Sequence, residues 1–105
     1  MISRDDLMVR LKVELDHWLE SQNEQFVYDT GYGARSEEAV SKADFDAIVG
    51  EFRNYASVRI PLSHSVSHAA SPFGRDDNEW SLKCEPLTGG GWGARTFSFH
   101  IRVEK

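Results

Sequence analysis

The hydrophobic period of this chain changes near residue 56, and no other feature restricts its architecture as much. Before that point the apolar residues recur with the spacing of a helix; after it they alternate as on a strand. Leu7, Leu11, Leu15, Trp18 and Leu19 lie 4, 4, 3 and 1 residues apart, which places them on one stripe of a helix running from about Arg4 to about Asn23. Phe45, Ile48, Val49, Phe52 and Tyr55 follow at i, i+3, i+4, i+7 and i+10 and predict a second helix from about Lys42 to Tyr55. Ser3 with Asp6, and Ser41 with Asp44, place a hydroxyl three residues ahead of a carboxylate. That arrangement caps a first turn and suits the positive end of the helix dipole. Gly50 sits inside the second helix at a cost of about 1 kcal/mol relative to alanine and is expected to mark a close packing contact.

Beyond the second helix, Val58, Ile60 and Leu62 alternate with Ser57, Arg59 and Pro61. This predicts a half-buried strand, which Pro61 assigns to an edge, with the alternation extending through His64, Val66 and His68. Ala69 to Asn78 reads as a loop. Trp80, Leu82 and Cys84 alternate with Ser81, Lys83 and Glu85; Phe97, Phe99, Ile101 and Val103 alternate with Ser98, His100 and Arg102. A two-residue turn at Gly90-Gly91, where both positions accept positive φ, pairs residues whose numbers sum to 181. Trp80 then faces Ile101, Leu82 faces Phe99 and Cys84 faces Phe97, while Glu79 meets Arg102 and Ser81 meets His100 on the other face. Apolar residues thus pair with apolar ones and opposite charges with each other. Phe26, Val27 and Tyr28 give a short strand or a core plug, and Asp29 to Ala34, with Gly31 and Gly33, reads as a loop. The expected fold is α+β: two N-terminal helices packed on a three- to four-stranded antiparallel sheet that ends in a β-hairpin, all within one domain spanning residues 1–105.

Composition removes several function classes. A single cysteine in 105 residues excludes a scaffold stapled by internal disulfides. A net charge of -5 argues against broad phosphate-backbone binding. The charge is unevenly divided: residues 1–54 hold twelve Asp/Glu against six Lys/Arg, and residues 55–105 hold five against six. Charged residues from Arg4 to Asp16 break any apolar leader, and no apolar run reaches the ~18 residues of a membrane span. The expected location is cytoplasmic, with no membrane contact.

The remaining candidates are sparse. His64 and His68 are weak metal candidates: on a strand they stand about 13 Å apart, and neither His17, His100 nor Cys84 completes a diagnostic ligand spacing. No metal or other cofactor is expected. Cys84 alternates in phase with Trp80 and Leu82, which marks a buried thiol rather than a nucleophile. The glycines at 31 and 33 and at 89–91 lack the remainder of a phosphate-binding loop. Phe97 and Phe99 fall on the core side, leaving Ser98, His100 and Arg102 outward, which disfavours a base-stacking sheet. The acidic residues carry the better hypothesis. Asp5, Asp6, Asp16, Glu20 and Glu24 on the first helix, continued by Glu37, Glu38, Asp44 and Asp46, form a surface that could steer a basic partner or imitate phosphates.

The sequence therefore points to a small acidic, non-enzymatic protein-binding module of the inhibitor or immunity type, occluding a basic or nucleic-acid-binding partner. Its expected partner-binding residues are Asp16, Glu20, Glu24, Glu37 and Glu38, with Trp92 as an aromatic anchor. Val9 and Val13, one turn apart, suggest a contact or homodimer surface. One alternative is a ligand- or metal-binding protein or enzyme using His64, His68 and His100. A second is nucleic-acid binding through Arg59, Arg75, Arg95 and Arg102 in the strand-rich half.

Overall fold

A computed structural model describes residues 1–21, 32–60, 64–70, 79–86 and 96–104. Helix α1 spans Arg4–Glu20 and helix α2 spans Lys42–Ser57. Both begin at the expected caps. The Ser3 hydroxyl accepts from the Asp6 N–H, and the Ser41 hydroxyl from the Asp44 N–H, each at 3.2 Å. Each bond satisfies one of the backbone donors that a helix start leaves unpaired. Leu7, Met8, Leu11, Leu15 and Trp18 of α1, and Phe45, Ile48, Phe52 and Ala56 of α2, are buried against the sheet.

The sheet corrects the expected topology. The described residues form five strands: β1 (Tyr32–Arg35), β2 (Val40–Ser41), β3 (His64–Ala70), β4 (Glu79–Pro86) and β5 (Phe97–Glu104). Their order is β1-β5-β4-β3, and β2 also pairs with β5. The β3–β4 and β4–β5 pairs are antiparallel, but β1 and β2 run parallel to β5. The sheet is therefore mixed rather than wholly antiparallel, and two of its strands lie between the helices in chain order. Of the segment read as a loop through Ala34, residues 32–34 belong to β1. Tyr32 and Ala34 do alternate with Gly33 and Arg35, but four residues are too few for alternation to outweigh a glycine signal.

The strand expected from Val58 is likewise displaced. Val58 caps the end of α2 and is exposed, and residues 58–59 form a turn. Strand β3 spans His64–Ala70, so Ala69 and Ala70 are strand rather than loop. Gly50 makes no close packing contact: a methyl group added there meets nothing within 4 Å.

The hairpin register is as expected, with Trp80 opposite Ile101, Leu82 opposite Phe99, Cys84 opposite Phe97 and Glu79 opposite Arg102. The glycine turn itself, Phe26–Tyr28, Pro61 and Leu62 lie outside the described residues. On β5 burial alternates strictly: Phe97, Phe99, Ile101 and Val103 are buried and the residues between them are not. Phe97 is the aromatic centre of the core. It stacks on Tyr32 at 5.8 Å between ring centroids, with Trp18 at 5.8 Å and Phe52 at 6.1 Å. Both helices cover this face; the opposite face of β5, β4 and β1 carries Ser98, His100, Arg102, Glu79, Lys83 and Arg35.

Candidate functional site

Two surfaces hold the residues of interest. The first is the outward side of α1, and it is shaped by where the basic residues of that helix go. Arg10 turns inward: its guanidinium lies 5.7 Å from the Phe99 ring centroid and donates to the Arg35 carbonyl at 2.7 Å. Lys12 turns toward α2, with its ammonium 5.3 Å from the Tyr55 ring and 3.6 Å from Glu51. The exposed residues of the helix are Arg4, Asp5, Asp6, Val9, Val13, His17 and Glu20, with the Arg4 guanidinium 3.7 Å from the Asp5 carboxylate. Val9 and Val13 are 63% and 60% exposed, well beyond what a helix packed on that side would allow.

Asp16 belongs to a different group. It accepts a hydrogen bond from the Tyr55 hydroxyl at 2.6 Å and lies 3.9 Å from the Arg59 guanidinium. Arg59 in turn stacks 3.5 Å from the Tyr55 ring centroid and donates to the Tyr55 carbonyl at 2.8 Å. Asp16 and Arg59 thus clasp α1 to the end of α2. Burial pushes the Tyr55 phenol up from its ordinary value, and the Asp16 carboxylate pushes it further. Tyr32 is held up likewise, first by its hydrogen bond to Glu14.

Glu37 and Glu38 lie away from Glu20. The N–H of Ile2 donates to the Ala39 carbonyl at 2.9 Å, which sets these two glutamates beside the start of α1. Asp16 stands roughly 20 Å further along that helix at 1.5 Å per residue. The expected acidic residues are therefore split between the two ends of α1 rather than gathered in one patch. Glu24, Trp92, Arg75 and Arg95 lie outside the described residues.

The second surface is a cleft of about 310 Å³ on the sheet face turned away from the helices, lined by Arg35, Ser36, Glu37, Glu79, His100 and Arg102. Its origin is visible in the pairing. β1 pairs with β5 from Phe97 to His100, and β2 resumes at Val103. Four residues, Ser36–Ala39, thus span two residues of β5, so the chain bows away from the sheet edge opposite Arg102. Ser36 fixes the bow, with its N–H on the His100 carbonyl at 2.9 Å and its hydroxyl on the Glu38 carbonyl at 2.8 Å. Register places Arg35 beside His100, His100 beside Ser81 and Arg102 beside Glu79. The Glu79 carboxylate lies 3.5 Å from both the Arg35 guanidinium and His100 Nδ1. His100 Nδ1 is buried, yet it has no hydrogen-bond partner among the described residues.

The histidines are not brought together. His68 lies on the helix-covered face, edge-on to Phe45 at 6.3 Å and 5.9 Å from the Trp80 ring, whereas His100 faces the cleft. His64 is four residues from His68 along β3. Among the described residues no group of three or more His, Cys, Asp or Glu could hold a metal ion. Cys84 is fully buried, and burial pushes its thiol up to about 12, with Glu85 adding to the effect. Among the described residues no helix is long and apolar enough to cross a membrane. Arg35 and Ser36 are cleft residues that sequence reasoning missed. The alternation of Tyr32, Gly33, Ala34 and Arg35 was the signal for Arg35, masked by the neighbouring glycines. In comparisons with known proteins no family model matches the chain, and no curated protein or solved structure matches it significantly.

Proposed function

We propose that this protein is a non-enzymatic binding module whose outward α1 surface docks on a protein with a basic surface, an inhibitor- or immunity-type role. One observation carries the reading: α1 engages Arg10 with the sheet, Lys12 with α2 and Arg4 with Asp5, while leaving Val9 and Val13 exposed between Asp6 at one end and Glu20 at the other. An apolar pair rimmed by carboxylates suits a partner that offers an apolar contact within a basic rim. The apolar pair contributes burial, and the carboxylates contribute steering and selectivity. Asp16, committed to Tyr55 and Arg59, positions the helix rather than the partner. Glu20 is the acidic residue of this surface best placed to steer.

Affinity capture from the source cells with the whole protein tests the reading, run beside a variant carrying both Val9→Lys and Val13→Lys. Both sites are exposed and lysine is a better helix former than valine, so the variant keeps its fold. The expected result is one basic protein in near-stoichiometric amount, retained at low salt, diminished at high salt and lost with the variant. Capture that is indifferent to the variant contradicts the reading. A dimer by light scattering that the double variant dissolves would instead assign the valines to self-association.

A further inference from the structure

We propose that the sheet-face cleft binds a small phosphorylated ligand, with the phosphoryl group held by Arg35, Arg102 and His100 and the ligand's hydroxyl groups held by Glu37 and Glu79. The cleft shares no side chain with the exposed face of α1. Three strands bring the lining together through register alone: β1 supplies Arg35, β5 supplies His100 and Arg102, and β4 supplies Glu79. The bow at Ser36–Ala39 opens the space beside them and adds Glu37.

The second observation is the imidazole. A buried polar atom without a hydrogen bond costs free energy and calls for an explanation. His100 Nδ1 is such an atom, although a carboxylate stands only 3.5 Å away. Glu79 spreads one oxygen between Arg35 and His100 at equal, long distances, so it is shared between them and sits close to neither. A ligand oxygen that drew Arg35 to itself would leave the Glu79 carboxylate free to close on Nδ1, which lies too deep for a ligand to touch, while the imidazole meets the ligand through Nε2.

Donor geometry selects phosphate. Guanidinium side chains on two strands line the cleft beside an imidazole, a donor set that suits a group with three terminal oxygens better than a planar carboxylate. The two glutamates balance the two arginines, so the cleft selects by geometry and not by net potential. They also supply acceptors for ligand hydroxyls. At about 310 Å³ the cleft stands at the lower end of small-molecule sites, which fits a sugar phosphate and not a polymer.

The test is a titration of the isotope-labelled protein followed by amide and imidazole NMR signals, with inorganic phosphate, ribose 5-phosphate and malonate as probes. Both phosphates should shift Arg35, Ser36, His100 and Arg102 saturably, ribose 5-phosphate binding more tightly and reaching a dissociation constant of roughly 1 mM or lower. Arg35→Gln and Arg102→Gln, both on exposed residues, should each weaken phosphate about tenfold or more. Glu79→Gln should tighten inorganic phosphate by freeing Arg35 and His100, and should narrow the preference for ribose 5-phosphate. The proposal is overturned if neither phosphate gives a saturable shift, if malonate binds as tightly as phosphate, or if the arginine variants leave binding unchanged. None of these outcomes bears on the α1 surface.

Discussion

At the scale of single residues, Cys84 and Gly50 show how little of a side chain's role lies in its identity. Cys84 is a small apolar group beneath the hairpin, opposite Phe97, with its thiol pushed up to about 12. An unfolded cysteine ionises near 8.5. Because the folded value lies above the unfolded one, the stability from this group is complete below about pH 8.5 and is lost as pH rises toward 12. Native-state labelling with a thiol reagent should therefore be slow and track unfolding. Denaturant midpoints measured between roughly pH 8.5 and 10 should fall less steeply in Cys84→Ala than in the parent. Tyr32 and Tyr55 are raised too and add the same trend at still higher pH. Gly50 stands on an open helix surface with nothing within 4 Å of an added methyl. Gly50→Ala should stabilise the fold by about 0.5–1 kcal/mol through the backbone entropy of the unfolded chain, measured by urea unfolding.

At the scale of elements, caps and seams carry the organisation. Ser41 ends β2 and caps α2 in a single residue, so one hydroxyl fixes the point where strand becomes helix. Ser41→Ala should cost about 1 kcal/mol, visible as a lower thermal midpoint. Tyr55→Phe removes the hydrogen bond that Asp16 accepts across the helix seam. Because that site is half-exposed, a loss of about 1 kcal/mol is expected by urea unfolding, below the usual figure for bonds to buried charges.

Both helices, both caps and the register of the hairpin were legible in the sequence, because each rests on local chemistry or on a long alternating run. The parallel strands were not. β1 offers four residues and β2 offers two, and a parallel partner is distant in sequence, so no turn announces it. The cleft inherits that difficulty: Arg35 and Glu37 reach His100 and Arg102 only through the β1–β5 pairing and the bow after it. The clasp of Asp16 by Tyr55 was hidden for a related reason, since helix periodicity gives the face of a residue but not what the neighbouring helix sets against it.

At the scale of the whole molecule, the acidity that the composition assigns to the first half is redistributed by folding. Lys42 and Asp46 pair at 2.8 Å, Lys12 and Glu51 at 3.6 Å, and Asp16 meets Arg59. These exposed or half-exposed pairs add little to stability. With Arg4 beside Asp5, their effect is to remove charges from the available surface, leaving Asp6 and Glu20 at the two ends of an exposed apolar pair on α1 and a balanced set of charges in the sheet-face cleft. The two surfaces lie on opposite sides of the sheet, so separate variants address them. The most direct measurement is the affinity of the captured partner for Val13→Lys and for Arg102→Gln, side by side at one salt concentration. The account predicts a loss of about tenfold or more for Val13→Lys and parental affinity for Arg102→Gln; full affinity for Val13→Lys, with loss confined to Arg102→Gln, would contradict it.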